Sequence, residues 1–189
     1  MVTWFEGMKG FAMARIAATG WPALFALLSV VSAPVSAAAQ ELGQNFIDHL
    51  ARQIICQSPP DPTPALLYLS RNRHIDAKKG QRADSETCWI IYPPLKIDGI
   101  GFTHVCASAD DPLLIELFPL LYYRGPGTSP GTGLRLVTNE DEAAVDDWIE
   151  RAKARLGLSG ETKLDIGEPT FVKGKTEISC NSTSFKANE

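Results

Sequence analysis

Histidine and cysteine are scarce in this 189-residue chain, three of one and four of the other, and neither is spaced for a local site. His49, His74 and His104 form no His-x-x-x-His or His-Glu-x-x-His pair, and no Cys-x-x-Cys occurs. The local zinc patterns are therefore excluded, and a metal would need assembly from distant residues. The Gly-x-Ser-x-Gly nucleophile elbow is missing as well. Gly125 to Gly133 is glycine-rich, but Leu134 and Arg135 stand where a P-loop needs lysine and a hydroxyl. It also leads into a strand, whereas a phosphate site wants a helix N-terminus, so it reads as a flexible hairpin tip. Basic residues are the minority, 18 against 22 acidic, which argues against a general nucleic-acid binder. Beyond residue 40 no apolar run approaches the ~20 residues of a spanning helix. Nothing in these patterns implies a cofactor.

What is present begins with an export leader. Lys9 and Arg15 supply positive charge, and no charged residue follows from Ile16 to Gln40. Ala23 to Val31 is the apolar centre, Pro34 breaks it, and Ala37-Ala38-Ala39 offers small residues to a signal peptidase. Residues 1–39 read as a secretory signal peptide cut after Ala39, with a cut after Ala37 as the alternative. Met8-Lys9 would make a more ordinary start than Met1. Gly20, Pro22 and Pro34 interrupt the apolar stretch, which disfavours an uncleaved anchor. Removing Glu6, Lys9 and Arg15 leaves 16 basic and 21 acidic residues, a net charge of −5, in residues 40–189. This part is expected to be one soluble domain with no membrane span, periplasmic or extracellular, its tail frayed from about residue 181.

Cys56, Cys88, Cys106 and Cys180 all follow the leader. An even count in an oxidising compartment reads as two disulfides, each worth about 2–4 kcal/mol. Three connectivities are possible. A two-residue turn at Asp98-Gly99 sets Cys106 opposite Ile91 and points Cys88 to the other side of the sheet, although a bulge at Pro93-Pro94 could restore the match. The reading leans to Cys56–Cys88 with Cys106–Cys180.

Apolar residues at Leu42, Phe46, Leu50 and Ile54, widened by Ile47, Ala51 and Ile55, predict a helix over 41–55. Asp48, Arg52 and Gln53 fall on its other side. The proline run that follows ends it, and Thr63 is placed to cap a second helix with Pro64 at its first position. Residues 71–85 read as a loop. Cys88 to Tyr92, Leu95 to Asp98 and Ile100 to Ser108 read as strands around an Asp98-Gly99 hairpin turn. Leu113 to Tyr123 reads as a buried strand bent at Pro119, with a short helix as the alternative. Leu134 and Leu136 give the next strand one buried face. Residues 140–156 form the clearest helix, capped by Asn139 with Glu142, apolar along Val145, Trp148, Ile149, Ala152 and Leu156, and stopped by Gly157. Thr170 to Val172 and Glu177 to Cys180 read as a last hairpin. Short turns between strands favour an antiparallel sheet, so the fold class is α+β: a sheet packed against an N-terminal helix and a long helix in the C-terminal half.

Two surfaces stand out. Arg71, Arg73, Lys78, Lys79 and Arg82 crowd one stretch of an acidic chain, as a site for an anionic envelope component or an acidic protein would. Tyr122, Tyr123 and Arg124 form a second contact surface at the base of the Gly-rich loop. The sequence thus favours a non-catalytic binding protein of the cell envelope. The competing reading is a small hydrolase with His104 as general base, oriented by Asp110 or Asp111 near Ser108. Asn181-Ser182-Thr183 matches a glycosylation acceptor.

Overall fold

The computed structural model describes residues 35–126, 131–160 and 164–186. Most of the expected leader and residues 127–130 of the Gly-rich loop lie outside these. The order is α1 (Val35–Ile54), α2 (Pro62–Arg71), a 3₁₀ turn (Ala77–Lys79), β1 (Gln81–Ala83), β2 (Glu86–Ile97), β3 (Ile100–Ser108), α3 (Pro112–Leu117), β4 (Gly133–Thr138), α4 (Glu142–Leu156), β5 (Asp165–Gly167), β6 (Thr176–Asn181) and α5 (Ser182–Lys186). The strands form one antiparallel sheet in the order β1-β2-β3-β4-β6-β5. This is the α+β architecture that the alternation of short turns and apolar strands predicts.

The core fills the space between one face of the sheet and the helices. Leu50 and Ile54 of α1 and Val145, Trp148 and Ile149 of α4 pack with Trp89, Phe102, Leu136 and Ile178 of the sheet. Trp148 meets Phe102 edge to face at 5.3 Å, and its indole N–H donates to the Ile97 carbonyl at 3.0 Å, so its one polar atom is satisfied. Arg155 of α4 pairs with Asp48 of α1 and with Asp98 of the β2–β3 turn, tying three elements together at the rim. Gln53 faces inward, contrary to its expected place on the polar side: it is fully buried, its amide oxygen accepts the Asp61 N–H, and its amide nitrogen meets His49 Nε2.

Three helices end alike. After α1, Cys56 N–H donates to Gln53 and Gln57 N–H to Arg52; after α2, Arg73 to Ser70 and His74 to Leu69; after α4, Gly157 to Ala154 and Leu158 to Lys153. Each is a Schellman ending with a left-handed residue. Gly157 has φ 65°, Cys56 54° and Arg73 61°. Only Gly157 announces the motif in the sequence.

The helix starts differ from expectation. The α1 helix begins at Val35, so the expected cut after Ala39 falls inside it. Asp61, not Thr63, caps α2, and Asp141, not Asn139, caps α4, its Oδ1 accepting the Ala144 N–H at 2.9 Å. Aspartate accepts these bonds as well as serine or threonine does. Residues 71–85 are not all loop, because the 3₁₀ turn and β1 fall within them. The expected strand at Leu113 to Tyr123 is replaced by α3, whose N-terminus is capped by Asp111 and carries Pro112 in its first turn. In the last hairpin the strand paired with β6 is β5, at Asp165–Gly167, and not Thr170 to Val172.

The disulfides are Cys56–Cys180 and Cys88–Cys106, which corrects the pairing favoured by the sequence. The reason lies in the β2–β3 ladder. Ile97 pairs with Ile100 and Leu95 with Phe102, but Ile90 pairs with His104. Residues 91–94 thus stand opposite Thr103 alone. The offset brings Cys88 directly across from Cys106, not Ile91, and onto the same face. Cys180 lies opposite Leu134 on the helix-covered face, within reach of Cys56 at the end of α1.

Candidate functional site

The basic segment after α2 is held against the sheet by its backbone. The His74 carbonyl accepts the Tyr92 N–H at 2.8 Å, which fixes the segment to the β2 irregularity. Asp76 accepts from Lys78 N–H and so caps the 3₁₀ turn. The Trp89 indole N–H donates to the Ala77 carbonyl at 3.3 Å. Gly80 allows the close approach: a Cβ there would stand 2.5 Å from Thr87 Cγ2 and 2.7 Å from Trp89 Nε1.

A groove of about 650 Å³ results, lined by Arg73, His74, Asp76, Lys78 and Lys79 together with Ile90, Tyr92 and Leu120. A hollow of about 310 Å³ shares Ser70, Ala77 and Leu120 with it and continues along Leu67, Leu117 and Phe118. Among the described residues the large apolar side chains left exposed are Tyr92 at 78 %, Ile90 at 62 %, Leu117 at 60 %, Leu113 at 58 % and Leu120 at 49 %. Four of the five line these two hollows. Leu113 precedes Leu117 by one turn of α3, so both lie on the same side of that helix.

The cations beside the groove are poorly compensated. Lys79 reaches Asp76 at 3.6 Å with both side chains largely in solvent, a pair worth little. Arg71, Arg73 and Lys78 enter no ion pair among the described residues. Of the residues singled out from the sequence, then, Arg73, Lys78 and Lys79 meet at one groove, and Arg71 is exposed beside it at the end of α2.

The others have different positions. Arg82 donates to the Pro119 carbonyl at 2.6 Å and lies over the Tyr123 ring at 5.1 Å, which pins the segment after α3 to β1. Tyr122 is in the core: its hydroxyl shares a 2.6 Å hydrogen bond with Thr63 Oγ1, and burial pushes its phenol up to about 12. Arg124 is exposed and is not among the residues lining the groove. Sequence reasoning missed Ile90, Tyr92 and Leu120. The Tyr92-Pro93-Pro94 interruption of a strand was the available signal, since a bulge re-aims side chains.

Among the described residues His104 has no carboxylate partner. Its Nδ1 meets Thr103 Oγ1 at 2.9 Å, and its ring packs edge to face on Phe171. Burial first, and Lys175 second, hold its pKa below the ordinary value. Asp110 and Asp111 lie beyond the far end of β3. Ser108 is already four residues from His104, roughly 13 Å at strand rise, and Asp111 is engaged as the cap of α3. A cavity of about 110 Å³ beside His104 also takes in Asp76, Lys79 and Gln81, and none of its lining residues is a serine or threonine.

The sheet face that carries Cys88–Cys106 also carries a half-buried ionic group. Arg135 bridges Glu86 at 2.9 Å and Glu177 at 3.1 Å. Burial raises both carboxyl pKa values against the lowering effect of Arg135, and Glu86 and Glu177 each hold a net upward shift. Glu86 Oε and both sulfurs lie within 4.8 Å of one another, but the sulfurs are bonded to each other and offer no thiolate. Asn181 accepts from Thr183 and Ser184 N–H groups, which caps α5.

Compared with known protein families, with characterised proteins and with solved structures, the chain matches none. The two disulfides are compatible with export, and no helix of the described residues is long and apolar enough to cross a membrane.

Proposed function

We propose that residues 1–39 export this chain to the periplasm or beyond, and that the domain that follows is a non-catalytic binding protein of the cell envelope. Its partner is anionic and engages the groove beside the 3₁₀ turn. The observation that carries this is the gathering of Arg73, Lys78 and Lys79 around one concavity, with Arg71 beside it, in a domain whose own net charge is negative. Bulk electrostatics would repel an anion, so attraction must come from this local field.

Retention on sulfated dextran at low salt tests the reading. The wild type should be retained and should elute as salt rises. A variant carrying Arg71→Glu, Arg73→Glu, Lys78→Glu and Lys79→Glu, shown by circular dichroism to be folded, should pass through. Equal retention of both proteins would refute the groove as the anion site. The intact mass of the released protein tests the export half: a cut after Ala39 leaves Gln40 first, and recovery of the whole chain from the cytosol with four alkylatable thiols would refute it.

A further inference from the structure

The groove has apolar lining residues that a purely ionic partner would not use. We infer that its occupant is the surface of an anionic lipid bilayer, a deepening that rests on the binding reading above. The exposed apolar side chains Tyr92, Ile90 and Leu120 line the groove that Arg73, Lys78 and Lys79 also line, and Leu117 lines the hollow that adjoins it at Leu120. Weakly compensated cations beside protruding apolar groups match the two layers of a membrane interface: headgroup phosphates for the first, the acyl boundary for the second. Tyr92 suits that boundary, since an aromatic with a polar tip favours the headgroup level. Lysine and arginine can lay their stems along the apolar patch while their charges reach the phosphates. The backbone is already braced for the load. His74 holds Tyr92 through the main chain, and Arg82 holds Pro119 next to Leu120.

Sedimentation with vesicles tests this. Two vesicle types serve, phosphatidylcholine alone and phosphatidylcholine with phosphatidylglycerol. All proteins are expressed as the full chain, so that any leader that persists is common to every arm. The wild type should pellet with the phosphatidylglycerol vesicles well above the phosphatidylcholine ones. Each cation neutralised to Gln should lower partitioning roughly fivefold. The pair Tyr92→Ser and Leu120→Ser should lower it roughly tenfold or more through lost apolar insertion. Equal binding to both vesicle types, or an unaffected Tyr92→Ser/Leu120→Ser variant, would overturn the bilayer as occupant. Retention on sulfated dextran with no vesicle binding would overturn it while sparing the anion-binding reading. Failure on both supports would overturn the two together.

Discussion

Removing the disulfides one at a time should reveal unequal contributions, because they close loops of very different length. Cys56–Cys180 spans 124 residues of sequence and Cys88–Cys106 spans 18. The chain-entropy relation assigns the first about 4.9 kcal/mol at 25 °C and the second about 3.2 kcal/mol. All four sulfurs are buried, so the cost of the small space left by alanine is similar in both cases and cancels from the difference. The variant Cys56→Ala/Cys180→Ala should therefore be less stable than Cys88→Ala/Cys106→Ala by about 1.7 kcal/mol. The short bridge has a second support besides: its two strands are also joined by the β2–β3 ladder on either side of residues 91–94, whereas the end of α1 loses its covalent hold on the sheet when the long one goes. Urea unfolding followed by far-ultraviolet circular dichroism measures both variants, with peptide mapping to confirm which bridge remains. If loss of Cys88–Cys106 proved equal or greater in cost, the loop-length reasoning would be wrong.

Tyr122→Phe should lower stability by about 1–2 kcal/mol, because Thr63 Oγ1 loses its buried partner, yet leave anion retention unchanged; a shift in retention would restore Tyr122 to the binding surface. Arg73→Gly should stabilise the fold by roughly 1 kcal/mol, since glycine occupies a left-handed position without the Cβ cost, and should weaken retention on sulfated dextran; thermal melting and chromatography read the two effects. The raised carboxyl of Glu86 predicts an unusual pH slope. Its folded pKa lies above its unfolded value, so the folded state keeps the proton longer, and its contribution falls as pH rises from the unfolded value through the folded one. Glu86→Gln should flatten that fall in urea midpoints taken from about pH 4 to about pH 7; a steeper fall would reverse the assignment.

The sequence revealed the elements whose side-chain period and chemistry agree. The helix α4 was legible because its apolar spacing, acidic start, basic end and Gly157 all point the same way. The β2–β3 turn was legible because Asp98-Gly99 takes positive φ at both positions. The endings at Cys56 and Arg73 left no trace, since neither residue type normally marks a left-handed position. The apolar run from Leu113 misled because its density suggested a buried strand, while a proline and a capping aspartate made a helix that leaves Leu113 and Leu117 in solvent. The cations of the groove were visible as a charge run. Its apolar wall was not, because Ile90, Tyr92 and Leu120 meet it only through an irregular strand and a distant turn.

That irregular strand divides the hairpin into two unequal zippers. The portion beyond residues 91–94 carries the Asp98-Gly99 tip and is held by Trp148, while the portion nearer β1 is riveted by Cys88–Cys106. Slow exchange of amide hydrogens should consequently change in a step at Thr103, not fade evenly along β3, and the tip should be able to breathe without loosening the riveted half.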